Sequence, residues 1–212
     1  YSKAGYAIFV AEVASTVNEI LLTKHLLRTV SDPALKKYVL NHYIDQFRTT
    51  VLRQTMFAEF EKITHGLQEQ GETLTADRLC EIYYDLNKLY FGEEICVDQA
   101  LNGLYFDLNR LYYGKEMGDD PTIQYEWARI PHFYTAFYVY KYATGFSCAS
   151  AIVRKLETEP GMLAKYKAFL QAGGSDYPME ILKKAGIDVS EAVRLCMQEF
   201  ADALRQFEAL EA

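Results

Sequence analysis

The chain has 212 residues, of which 50% are hydrophobic and 14% aromatic, so it can bury a substantial core. Its net charge of -7 and pI near 5.2 argue against nucleic acid or an anionic membrane surface as the main partner. Cys80, Cys96, Cys148 and Cys196 are scattered without a CxxC pair. That fits free buried thiols in a reducing, cytoplasmic setting better than a disulfide framework.

A first helix is predicted over about 5–30, from the apolar run YAIFVAEVASTVNEILL at 6–22. Glu12 and Glu19 interrupt that run, which lacks the unbroken apolar length of a membrane span. No secretory signal is visible, and the chain starts at Tyr1 rather than Met. Asp32 and Pro33 supply an N-cap and first turn for a long second helix over 33–69. Its apolar positions are Tyr38, Val39, Tyr43, Phe47, Val51, Leu52, Met56, Phe57 and Phe60, and Gly71 stops it. Thr75 opens a third helix, closed at Gly92.

Residues 82–94, IYYDLNKLYFGEE, recur as 104–116, LYFDLNRLYYGKE. Eight of thirteen positions are identical, which marks a local tandem duplication rather than a solenoid. Gly118 to Pro121 reads as a loop. A helix is predicted over about 131–157, starting at Pro131 and broken at Glu159-Pro160-Gly161. A short helix to about 171, a Gly173-Gly174-Ser175 turn and a helical turn from Pro178 to Lys184 follow. Asp188 and Ser190 precede a last amphipathic helix. No strand and no linker is evident, so the expectation is one all-α unit over 1–212.

Two constellations stand out. Glu12 and Glu19 are seven apart and so share a helix face, with Ser15 and Thr16 between them. A carboxylate buried on such a helix needs a metal, a cation or several hydrogen bonds. The readings are therefore a metal ligand, a buried ion pair or a cap to another segment. The second constellation is RIPHFYTAFYVYKYATG at 129–145. On a continuous helix Tyr134, Tyr138 and Tyr142 share a face near His132, while Tyr140 points elsewhere. Such a row could stabilise an oxyanion, or it could be core and rim packing. Glu61 and His65, four apart in EFEKITH, read as a solvated pair. The only other histidines are His25 and His42, and no HExxH is present. A catalytic zinc usually takes three protein ligands.

FVAEVASTVNE (9–19) closely resembles the segment after the HExxH helix in oligoendopeptidase F-type members of the M3 (thimet oligopeptidase-like) metallopeptidases. The likeness recurs at RQTMFAEFE (53–61), at YEWARIPHFY with FYVYKYATG (125–145), and at AFLQAGGSDYPMEILKKAGID (168–188). It covers nearly the whole chain in order. The resemblance implies a helical lobe of a zincin-like catalytic domain, with no substantial sheet in this portion. It implies one zinc, held by the two His of HExxH and by Glu12, with Glu19 orienting a zinc-bound His. The Glu of HExxH is the general base. His132 and Tyr134 match groups that contact substrate or the oxyanion, and Tyr138 fits the next tyrosine of that set. A further one is Tyr140 or Tyr142. The partners implied are short peptides and the N-terminal portion that carries HExxH. Because HExxH is absent here, this chain alone is expected to be inactive. The second copy of the repeat departs from the family pattern as an insertion just upstream of His132. The competing reading is a helical remnant that binds a partner or peptide without catalysis.

Overall fold

The computed structural model describes residues 5–92 and 126–210. The second repeat copy, the last two residues of the first copy, Cys96 and the Gly118–Pro121 loop lie outside the described residues. Among the described residues the regular structure is helical, without strands. The helices are α1 (Ile8–Thr29), α2 (Pro33–Gln46), α3 (Arg53–Glu69), α4 (Ala76–Phe91), α5 (Glu126–Arg129), α6 (Tyr140–Thr158), α7 (Met162–Ala172), α8 (Pro178–Lys184) and α9 (Val189–Glu208). No helix among these residues is long and apolar enough to cross a membrane.

The caps explain several boundaries. Asp32 accepts a hydrogen bond from the Ala34 N–H at the start of α2, and Pro33 needs no donor there. Thr75 caps α4 through the Arg78 N–H, and Asp188 caps α9 through the Glu191 N–H. Gly92 ends α4 at φ 97°, a conformation that suits glycine. The predicted helix over 33–69 is present with one change, a π-helical stretch at Phe47–Leu52 between α2 and α3. There the Thr49 hydroxyl donates to the Asp45 carbonyl at 2.8 Å. Such back-bonding competes with the regular backbone ladder.

The described residues form two compact units, one drawn from within 1–52 and 141–212, the other from within 53–140. In the first unit, α1 buries Val10, Val13, Val17 and Ile20, a stripe at spacings of three and four. α6 is buried continuously from Gly145 to Val153, as a helix does when neighbours surround it. Phe47 is fully buried at the centre, with the rings of Tyr43, Phe146 and Phe200 at 5.0, 5.0 and 5.2 Å. A charged cluster closes one side. Lys24 Nζ lies 2.9 Å from Glu157 and 2.7 Å from Glu199, and Arg28 lies 2.9 Å from Glu157.

Burial works against the charge on Glu157, but the hydrogen bonds and charges of Lys24 and Arg28 outweigh it and hold the carboxyl below its usual range. A carboxyl depressed on folding stabilises the fold above its unfolded pKa, and that contribution is lost as pH falls through the lower folded value. Lys24→Met is therefore expected to flatten the fall in thermal midpoint below about pH 4, where ordinary glutamates protonate. An unchanged acid limb would show that the pair contributes nothing on that side.

The second unit packs α3 against α4 around Met56, Phe57, Phe60, Ile82, Tyr83 and Leu86, with Val139 added from the loop before α6.

Candidate active site

α1 presents Glu12 half-buried and Glu19 exposed. Ser15 is exposed and Thr16 half-buried, so the polar stripe lies off the stripe of buried valines. The cost of a deeply buried carboxylate anticipated from the sequence does not arise for Glu19. Glu12 sits where α1 meets α6. A Cβ built on Gly145 would lie 3.7 Å from the Phe9 ring, 3.9 Å from Val13 and 4.0 Å from the Cβ of Glu12. Among the described residues, neither the Glu12 nor the Glu19 carboxylate has a hydrogen-bond or ion-pair partner. Nor do three His, Cys, Asp or Glu side chains converge as a metal site among these residues.

The His132 segment departs from the predicted helix over 131–157. Pro131–Tyr134 forms one 3-10 turn, Thr135 is extended, and α6 starts only at Tyr140. The cause is local. Phe137 takes φ 56°, the left-handed region that a bulky residue enters at a cost of roughly 1–2 kcal/mol. Its N–H donates to Glu61 Oε1 at 2.8 Å instead of to a helical carbonyl. Tyr134 and Tyr138 therefore do not form a helical row with Tyr142. In its place, the His132 and Tyr138 rings stack at 5.4 Å with 18° between planes. Tyr134 is 79% exposed, and its hydroxyl donates to the Ala128 carbonyl at 2.7 Å. Donating to a bound ligand would require it to leave that carbonyl. Tyr140 is exposed, and Tyr142 is half-buried in the other unit.

Glu61 corrects a second expectation. It is not solvated but 3% exposed. It shares one buried face of α3 with Phe57, Phe60 and Thr64. His65, one turn on, packs its ring 4.8 Å from that of Phe137. The sequence reading also missed a cluster at the other end of α3. Arg53 pairs with Glu126, and the Tyr83 hydroxyl donates to the same carboxylate at 2.7 Å. Burial first, and the Glu126 charge second, push the Tyr83 phenol far above its ordinary pKa, so it stays a donor at any physiological pH. Tyr90 donates to Glu59 at 2.7 Å, tying α4 to α3.

The sequence profile of peptidase family M3 matches residues 1–198. Oligopeptidase PepF of Bacillus subtilis is 44% identical over 99% of this chain, which spans 28% of that protein. The plasmid oligoendopeptidase F of Lactococcus lactis subsp. cremoris is 40% identical over 99% of the chain, which spans 32% of it. The crystal structure of oligoendopeptidase-F from Enterococcus faecium superposes with a TM-score of 0.78 at 44% identity, over 97% of this chain and 36% of that one. The chain thus spans about a third of the length of the relatives it matches. With family likeness running nearly end to end and an all-helical fold that agrees with it, the chain belongs to peptidase family M3.

Proposed function

We propose that this chain is the part of a zinc-dependent oligoendopeptidase that supplies one zinc ligand together with the His and Tyr groups that meet the substrate. The observation that carries the reading is the match to family M3 over residues 1–198, alongside full-chain likeness to oligopeptidases. The substrates are short peptides cut at internal bonds. The remaining ligands and the general base belong to an HExxH segment of the same longer protein.

Glu12 fits a zinc ligand in type and setting: a half-buried carboxylate with no cation paired to it among the described residues. Carboxylate oxygen is an accepted third ligand beside two histidines. Zinc, when bound, supplies Lewis acidity toward a peptide carbonyl. Glu19, two turns along the same helix and exposed, is free to accept the ring N–H of a ligating His and fix its tautomer. His132, Tyr134 and Tyr138 offer N–H and O–H donors to a carbonyl oxygen as it gains charge. The stack of His132 on Tyr138 restrains the imidazole plane before substrate arrives. A cytoplasmic location is proposed on the same footing, supported by Cys148 and Cys196 being buried and forming no disulfide among the described residues.

In the full-length protein, His132→Ala and Tyr134→Phe are each expected to lower kcat on a short peptide by about 10²- to 10³-fold, the usual effect of removing one such donor. Zinc content should remain at one ion per chain. Wild-type kcat in both variants would leave this segment as packing and favour the non-catalytic reading.

A further inference from the structure

We propose that Glu61 is a positioning residue that holds the segment from His132 to Tyr138 in its working shape; the inference rests on the peptidase reading above. Glu61 lies on the buried face of α3, and its Oε1 accepts the Phe137 N–H at 2.8 Å. Phe137 is the one non-glycine residue at positive φ among the described residues. A phenylalanine stays there only if its surroundings hold it. Two side chains of α3, one turn apart, do so: Glu61 takes the backbone N–H, and His65 packs against the ring.

The direction of the chain at Phe137 decides where Tyr138 goes, and Tyr138 is the residue stacked on His132. Without the carboxylate, Phe137 relaxes toward negative φ, Tyr138 swings away and the His132 ring loses its support. The start of α3 also grips the approach to this segment, because Arg53, joined by Tyr83 of α4, holds Glu126 on α5. Residues 53–61 thus have a physical role that amphipathic packing alone does not supply. α3 holds the segment at both ends, at Glu126 and at Phe137.

The test uses the full-length zinc-loaded protein, read by peptide hydrolysis and by hydrogen exchange of the peptide covering 132–140. Glu61→Met fills the same volume without an acceptor, whereas Glu61→Gln still offers an amide oxygen to the Phe137 N–H. Glu61→Met is expected to lower kcat about 10- to 100-fold, the scale of a small misplacement at a reacting centre, with KM changed less than about threefold. Exchange at 132–140 should quicken about tenfold or more while that of α4 stays unchanged. Glu61→Gln should restore both readouts to within about threefold of wild type, because it remakes the hydrogen bond. Wild-type kcat and exchange in Glu61→Met would overturn the proposal, as would Glu61→Gln being as impaired as Glu61→Met. If the unaltered protein hydrolyses no peptide while exchange still responds to Glu61→Met, the peptidase reading falls and the grip of Glu61 on the segment stands.

Discussion

Glu12→Gln in the full-length protein is expected to leave the fold intact and the zinc site largely empty. Glutamine keeps the size, the helix preference and one oxygen, and removes the negative charge. No partner among the described residues loses an interaction, so a change in zinc content reports on the metal rather than on packing. Removing a group that only orients a zinc ligand weakens metal binding by about 10- to 100-fold, and removing a ligand exceeds that. Glu19→Gln should fall inside that range and Glu12→Gln beyond it. The measurement is zinc per chain after dialysis against buffered zinc, with thermal unfolding of the metal-free protein as the control for folding. One tightly held zinc per chain in Glu12→Gln would remove Glu12 from the ligand set. Equal losses in the two variants would remove the distinction between ligand and orienting group.

Phe47→Ala is expected to be among the most destabilising single changes in the first unit. The side chain is fully buried among Tyr43, Phe146 and Phe200. Truncating such a phenylalanine costs about 3–5 kcal/mol, from lost transfer energy and the cavity left behind. Tyr38, an aromatic on the same run but 70% exposed, is the control: its replacement by alanine should change stability by no more than about 0.5 kcal/mol. A thermal midpoint for Phe47→Ala that falls no further than that for Tyr38→Ala would mean the aromatic cluster does not carry the unit.

Helix positions were readable because they depend on neighbours in sequence. Asp32-Pro33, Thr75, Gly92 and Asp188 each act within a few residues, and the structure places the helix boundaries beside them. Family membership was legible in residues 9–19, 53–61, 125–145 and 168–188, since those strings are specific and ordered. The break after Tyr134 was not legible. Helical spacing of tyrosines assumes a continuous backbone, and that continuity ends where Phe137 turns to φ 56° and gives its N–H to Glu61, 76 positions away. The π-helical stretch at Phe47 is a milder case, a rearrangement within a helix whose ends were still correctly bounded.

Charges show the same division. Glu12 and Glu19 are placed on one face by periodicity alone, but only packing decides that Glu12 is half-buried against α6 while Glu19 stands in solvent. Glu61 and His65 have the spacing of an ordinary exposed pair. Tertiary structure buries the first, because Phe57 and Phe60 beside it must face the core and α4 covers that face. Sequence by itself determined what is local: caps, stops, amphipathic faces and the family of the chain. Only the tertiary structure decided which carboxylates meet water and where the His132 segment leaves the helix. Burial and long-range hydrogen bonds depend on what packs across the chain, and no spacing rule within one segment contains that information.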